Sequence, residues 1–346
     1  LTSFHVGITR DFLKPDGTLG FGDIGLELLT RDPRITVEFL PDAGAELTPQ
    51  AIRGFHALLV LAPRVTAATL EGADQLAIVA RFGVGYDNVD VAACTRHDVM
   101  LTITPNGVRR PVAVSALALL LALSHKLIIK DRMTREGRWQ EKLNEMGVGL
   151  TGRSLGLIGL GNIGREIVRM TTPLEMRTLA YDPFVSPEQA KSVGVELMDL
   201  DGLLSQADFV CVCCALTPET HRLLDAKRLA LMRPSAFLIN VARGSIVDQA
   251  ALTTALQERR IAGAALDVFE KEPIENNDPL LTLDNVILSP HAICWTDELF
   301  LGIGRSACQS ILDVASGRVP ADVVNREVLL QADLQAKLAQ FAALTS

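Results

Sequence analysis

The run Gly156-Leu157-Ile158-Gly159-Leu160-Gly161-Asn162-Ile163-Gly164 sets three glycines in a GxGxxG pattern, after an apolar stretch and at the start of a helix-like one. That context makes a common glycine-rich turn a phosphate cradle. Gly159 permits a tight turn, Gly161 lets a pyrophosphate approach the backbone, and Gly164 lets helix and strand pack closely. The free N–H groups where the helix opens, at Asn162 and Ile163, then meet the phosphates at the positive end of the helix dipole. About twenty residues on, Leu179-Ala180-Tyr181-Asp182 ends a strand in an acid placed to bind a ribose hydroxyl. Asp182 would repel a 2′-phosphate, and Pro183-Phe184-Val185 supplies no cation to neutralise one. The pattern predicts NAD over NADP.

Two further side chains stand where an α/β sheet binds ligands. Arg243 follows a strand end and a small residue, beside Gly244. Its planar fork suits a carboxylate or a polarised carbonyl better than a lysine would, although an arginine in a loop is usually a solvated charge. His291 follows the apolar strand Val286–Leu288 and a proline, at the sheet edge. The other five histidines, His5, His56, His97, His125 and His221, have no such setting. The six cysteines carry no comparable signal. Cys211, Cys213 and Cys214 crowd into one apolar run, Cys94, Cys294 and Cys308 are scattered, and no CxxC pair is answered by a second ligand pair. They read as small apolar residues in a reducing compartment, with no metal site.

From these blocks the chain resembles the NAD-dependent D-2-hydroxyacid dehydrogenases, which include phosphoglycerate dehydrogenases and glyoxylate/hydroxypyruvate reductases. The resemblance runs from about residue 50 to 326. It rests on Arg81-Phe82-Gly83-Val84-Gly85-Tyr86-Asp87-Asn88-Val89-Asp90, the glycine fingerprint, Asn240-Val241-Ala242-Arg243-Gly244, Ala265-Leu266-Asp267-Val268-Phe269-Glu270-Lys271-Glu272-Pro273 and Leu288-Ser289-Pro290-His291. It implies a catalytic triad of Arg243, Glu272 and His291. Reduction of a 2-oxo acid needs a proton for the developing alkoxide, and a histidine titrates in the right range to give it. Glu272 alone reads equally well as a loop or cap acid; paired with His291 it would stabilise the imidazolium and fix its tautomer. Asp267 resembles the acid that binds the nicotinamide carboxamide, and Val241 falls in the same cofactor-binding set. The backbone at Val84 and Gly85 resembles the loop that holds the substrate carboxylate, with Arg243 as its partner. A close backbone approach is what the glycines there permit.

The expected reaction is reversible reduction of a small 2-oxo acid to the D-2-hydroxy acid with NADH. Three departures bear on it. Cys213 and Ala215 stand where relatives often have a histidine and a proline, Val114-Ser115 replaces a usual Glu-His, and Ala292-Ile293-Cys294-Trp295 replaces a small, glycine-rich run after His291. The last puts the shape of the substrate pocket in question. Leu61 occupies the place where phosphoglycerate enzymes carry an arginine for the phosphate, although Arg64 could swing in. A dianion in an apolar pocket without a cation is costly. The substrate is therefore expected to have an uncharged tail: glyoxylate, hydroxypyruvate, pyruvate or a longer apolar homologue. Two other readings remain, a phosphite-type dehydrogenase on the same fold and a dinucleotide-sensing, corepressor-like binding protein. Formate oxidation is disfavoured, since formate enzymes of the family carry glutamine where Glu272 stands.

These residues need a scaffold, and the rest of the chain is of a kind to make one. It has 346 residues, a formal charge of −8, 48% hydrophobic and 5% aromatic residues, and a mean hydropathy of +0.26. Length and composition fit two globular domains, and the acidic balance without a basic block argues against nucleic acid as a partner. Short aliphatic runs alternate with helix-like ones: Val6–Ile8, Ile35–Phe39, Ala57–Leu61, Ala77–Ala80 and Met100–Ile103 first. A second series follows, at Ser154–Ile158, Arg177–Tyr181, Phe209–Cys213, Ala236–Asn240, Gly263–Leu266 and Val286–Leu288. The predicted fold class is α/β, with two doubly wound parallel-sheet domains and a Rossmann cofactor domain inserted into a flavodoxin-like substrate domain. The expected boundaries are 1–104 with 295–330 for the substrate domain, 105–294 for the NAD domain, and a tail helix over 331–346. The active site is expected in the cleft between the domains. The apolar stretch Pro111–Lys130 is interrupted by His125 and Lys126, so it reads as a buried helix at the centre of a homodimer rather than a membrane span. Leu1-Thr2-Ser3-Phe4-His5 carries no signal pattern, and a cytoplasmic protein with no membrane partner is expected.

Overall fold

The computed structural model describes residues 3–42 and 44–345. Leu1, Thr2 and Ser346, the outer ends of the predicted substrate domain and tail, lie outside the described residues. The chain forms two compact units: one up to Val108 and again from Trp295 on, the other from Arg109 to Cys294. The first crossing falls inside the helix Pro105–Ser124.

The first unit is built on five parallel strands, β1 (Phe4–Ile8), β2 (Ile35–Phe39), β3 (Ala57–Val60), β4 (Ile78–Arg81) and β5 (Met100–Thr102), in the order β2-β1-β3-β4-β5. That is the flavodoxin-like order. β3 is buried along its whole length, as expected of a central parallel strand covered on both faces. The helix Asp297–Ala315 returns to this unit and buries Ile303, Ala307, Ile311 and Val314. The tail helix spans Ala332–Ala342 and also belongs to it. Phe341 packs edge-on against Phe4, with ring centroids 4.9 Å apart, and Lys337 Nζ donates to the Leu76 carbonyl at 2.8 Å.

The second unit has seven parallel strands: β6 (Ser154–Ile158), β7 (Arg177–Tyr181), β8 (Glu196–Leu197), β9 (Phe209–Val212), β10 (Phe237–Asn240), β11 (Gly263–Leu266) and β12 (Val286–Leu288). Their order is β12-β11-β10-β9-β6-β7-β8, the Rossmann order with one strand added, so the direction of winding reverses between β6 and β9. Alternate residues of the central strands enter opposite cores. Val210, Val212 and Leu238 join one cluster, and Phe209, Cys211 and Ile239 the other. Cys211 therefore packs as an apolar residue, and all six cysteines are unpaired.

The predicted strands coincide with these or differ by one or two residues at their ends, and only the two-residue β8 was not anticipated. The apolar helix needs a larger correction. It is not one element over 111–130 but two, Pro105–Ser124 and Leu127–Arg135, separated by Lys126 in a left-handed conformation at φ 51°. The Ser124 carbonyl is taken by the N–H of Val148 at 2.7 Å, and Lys126 pairs with Glu145 at 2.9 Å. The returning segment thus competes for the groups that would continue the helix. Pro105–Ser124 is long and apolar enough to cross a membrane by length and composition, yet half of its most apolar stretch is buried inside the fold. Ala113, Ala116, Leu119, Leu120 and Leu123 face the Phe209–Ile239 core, while Val114 and Leu121 are exposed.

Candidate active site

The glycine turn sits at the reversal between β6 and β9, where open α/β sheets bind their ligands. Gly159 has φ +103°, and a Cβ on it would stand 2.9 Å from the Cys214 backbone. A Cβ on Gly164 would stand 2.4 Å from the Gly159 carbonyl oxygen, so helix and turn touch through glycine alone. A Cβ on Gly161 would meet nothing within 4 Å, so that face is open. Gly161 also gives the helix Asn162–Thr171 no side-chain cap, which leaves its first N–H groups for a ligand. Open backbone, uncapped helix and tight turn together fit a dinucleotide pyrophosphate. Asp182 follows β7 directly; one carboxylate oxygen accepts the Leu160 N–H at 2.7 Å and the other the Phe184 N–H at 2.9 Å. It therefore braces the glycine turn as well as standing beside it.

The strand ends β10, β11 and β12 carry the other candidates. Arg243 lies three residues past Asn240, the last residue of β10, and its Nη1 donates to the Ala242 carbonyl at 2.8 Å. His291 Nδ1 and Glu272 Oε2 are 2.7 Å apart, with side chains 44% and 36% exposed. Glu272 Oε1 accepts the Phe269 N–H at 3.0 Å, which fixes the carboxylate. Burial alone would raise the pKa of Glu272, but the hydrogen bonds from His291 and Phe269 and the charges of His291 and Arg243 outweigh it and hold the carboxyl below its ordinary value. Ionised Glu272 makes Nδ1 the donor, so Nε2 is the ring nitrogen left to exchange a proton.

Backbone bonds join the three strand ends in series. Asn240, 1% exposed, donates from Nδ2 to the Arg243 carbonyl and accepts the Ala242 N–H at Oδ1, both at 3.0 Å. The Asn240 carbonyl accepts the Asp267 N–H at 3.1 Å, and the Asp267 carbonyl accepts the His291 N–H at 2.8 Å. His291 has φ +55°, a left-handed backbone that a non-glycine residue keeps only when its neighbours impose it. Asp267 imposes it: Oδ1 accepts the N–H groups of both Ala292 and Ile293 at 3.0 Å. Burial raises the Asp267 pKa, partly offset by Ser289 and those two N–H groups. The predicted carboxamide ligand is thus 3% exposed and holds the turn carrying His291. Gly244 sets the Arg243 loop directly against the Phe269–Glu270 backbone, because a Cβ there would lie 1.9 Å from the Phe269 carbonyl carbon. Sequence reasoning passed over these roles of Asn240, Gly244 and Asp267; their signal was a polar or glycine residue directly after an apolar strand. Val241, half-buried, lies between Asn240 and Arg243 in the same loop.

Val84 and Gly85 belong to the first unit. Among the described residues, their N–H groups donate to no protein acceptor. The turn is held from both sides. Arg81 Nη1 donates to the Phe82 carbonyl and Nε to Asn88 Oδ1, while Asn88 Nδ2 donates to the carbonyls of Leu61, Ala62 and Pro63. Gly83, at φ +135°, makes the turn possible. N–H groups without a protein acceptor among the described residues, in a turn held from both sides, suit an anion.

Comparison with known proteins agrees with this geometry. The family described as D-isomer specific 2-hydroxyacid dehydrogenase, NAD binding domain, matches residues 117–292. A glyoxylate reductase of Thermococcus onnurineus is 39% identical over 291 residues, covering 82% of this chain and 87% of that protein. A D-3-phosphoglycerate dehydrogenase of Archaeoglobus fulgidus is 39% identical over 272 residues, covering 79% of this chain; the chain spans only 51% of that relative's length. A solved protein of Thermus thermophilus superposes with a TM-score of 0.81 at 30% identity, over 93% of this chain and all of its own. The chain belongs to the D-isomer specific 2-hydroxyacid dehydrogenase family and carries its NAD-binding domain.

Proposed function

We propose that the protein reversibly reduces a 2-oxo acid with an uncharged tail to the D-2-hydroxy acid, with NADH as reductant. The observation that carries the reading is the 2.7 Å Glu272–His291 pair on the same strand edge as Arg243. When bound, NADH supplies the hydride. Gly159, Gly161, Asn162, Ile163 and Gly164 would hold its pyrophosphate, Asp182 its ribose, and Val241 with Asp267 the nicotinamide side. The N–H groups of Val84 and Gly85 would take the substrate carboxylate, and the Arg243 fork suits a carboxylate or a polarised carbonyl. His291, braced by Glu272, delivers a proton from Nε2 to the developing alkoxide and recovers it in the reverse direction. Leu61, directly after β3, puts no charge at the position where the resemblance places an arginine in phosphoglycerate enzymes.

We also propose a homodimer through the helix Pro105–Ser124 and the segment after it, where Val114, Leu121, Trp139, Leu143 and Met146 are exposed. NADH oxidation by a panel of 2-oxo acids, with chirality of the product, tests the reaction. Turnover that is multiple and saturable supports it, and binding of NADH without turnover of any acid would favour a sensor. Sedimentation equilibrium tests the dimer, and a monomer at micromolar concentration would refute it.

A further inference from the structure

Only 5% of the residues are aromatic, yet five rings of the first unit gather in one cluster. Phe12 and Phe82 are its buried base, 4.8 Å apart and edge-on. Phe21 and Phe300 lie above, 4.7 Å apart, and Trp295 meets each of them edge-on at 5.5 Å. Core packing explains Phe12 and Phe82. It does not explain Trp295, which is 54% exposed although two rings fix its orientation. A large indole held rigid and left half in water is a platform for an apolar group. Its place in the chain says which group. Phe82 directly precedes the turn whose Val84 and Gly85 N–H groups have no protein acceptor among the described residues, and Tyr86, in the same turn, is 38% exposed. Trp295 follows the proposed acid, His291, by four residues. The turn proposed to hold the carboxylate and the aromatic cluster thus meet at Phe82, within one unit.

We propose that Trp295, Phe21 and Phe300 receive the tail of the substrate, and that the protein selects 2-oxo acids with an aromatic or large branched apolar tail over glyoxylate and pyruvate. This rests on the reading of the protein as a 2-oxo acid reductase and narrows it. One methylene in an apolar pocket discriminates by about tenfold or more, so phenylpyruvate should exceed pyruvate in kcat/KM by at least that factor. Trp295→Ala should collapse the ratio by lowering kcat/KM for phenylpyruvate far more than for pyruvate. A higher kcat/KM for glyoxylate or pyruvate overturns the proposal, and so does a preference for phenylpyruvate that survives Trp295→Ala. A second measurement needs no turnover. Trp139→Phe leaves Trp295 as the sole indole, and titration with D-phenyllactate should change its emission saturably. If no 2-oxo acid is reduced, the reductase reading fails on its own, and this titration still decides the aromatic site: no saturable change overturns it.

Discussion

Gly244→Ala is the sharpest test of how the proposed triad is held. The backbone at Gly244 is not in the left-handed region, so conformation alone would tolerate alanine. By restricting the unfolded chain, alanine would even stabilise by about 0.4–1 kcal/mol. Space reverses the sign. The new Cβ would lie 1.9 Å from the Phe269 carbonyl carbon, 2.0 Å from its oxygen and 2.5 Å from the Glu270 nitrogen. All three are backbone atoms that no rotamer change can move aside, so the two loops must part by more than an ångström. Overpacking of this kind costs about 1–3 kcal/mol of stability. The Phe269–Glu270 peptide that must shift lies next to the Phe269 N–H, which donates to Glu272 Oε1, so the displacement reaches the Glu272–His291 pair. A misplacement of about 1 Å in a reacting constellation lowers rate by about 10²-fold. The expected outcome is a folded protein with kcat reduced by about that factor and NADH affinity much less affected. Steady-state kinetics, NADH fluorescence titration and a thermal melt measure the three quantities. A Gly244→Ala enzyme with undiminished kcat would show that the Arg243 and Glu272 loops are not coupled through this contact.

His291→Ala should lower kcat by about 10²–10⁴-fold, and Glu272→Gln should move the alkaline limb of the rate profile for reduction to lower pH, because a neutral amide stabilises an imidazolium less than a carboxylate does. An unchanged profile in Glu272→Gln would remove Glu272 from the mechanism. Asp182→Asn should narrow the gap between NADH and NADPH in kcat/KM by removing the charge that repels a 2′-phosphate; equal ratios in variant and parent would refute that role. Burial, with a lesser contribution from the charge of His5, lowers the pKa of His56 from 6.5 to about 4, and its Nδ1 accepts the His5 N–H at 2.8 Å. Its folded value lies below the unfolded one, so its contribution to stability is complete above pH 6.5 and is lost as pH falls towards 4. The loss amounts to about 3 kcal/mol. Urea midpoints across that range should fall more steeply in the parent than in His56→Asn, and parallel curves would sink the idea.

What could be read in advance divides by range. Strands such as β6, β7, β11 and β12 were legible to the residue because continuous aliphatic runs flanked by turn residues specify them locally. The glycine fingerprint was legible for the same reason. The break at Lys126 was not, because its cause lies about twenty residues on, where Glu145 and Val148 capture the groups of the helix end. The burial of Asp267 was likewise invisible, since its partners at Ala292 and Ile293 join it only through the pairing of β11 with β12. Resemblance named Arg243, Glu272 and His291, but nothing local showed that Asn240 and Gly244 would hold them.

The ladder from Arg243 to His291 explains why a parallel sheet suits this chemistry. Parallel pairing places the C-terminal ends of β10, β11 and β12 on one edge, and neighbouring strands lie about 4.8 Å apart. Side chains hundreds of atoms apart in sequence are thereby brought within reach of one small substrate. Register alone, however, leaves the loops beyond the strands free to drift. Here each loop is tied to the next through the residue that ends a strand or directly follows it: Asn240 carries the Arg243 carbonyl on its side chain and the Asp267 N–H on its backbone, and Asp267 carries His291 on its backbone and the turn after His291 on its carboxylate. The same edge that supplies the proposed reacting groups therefore supplies the bonds that fix their spacing. His291 can keep a left-handed backbone because Asp267 holds it from two directions, and Glu272, held by Phe269, arrives at its ring already oriented. Spacing along this strand edge is fixed by buried polar groups in series, so substitutions at Asn240 and Asp267 are expected to lower rate as those at the proposed triad do.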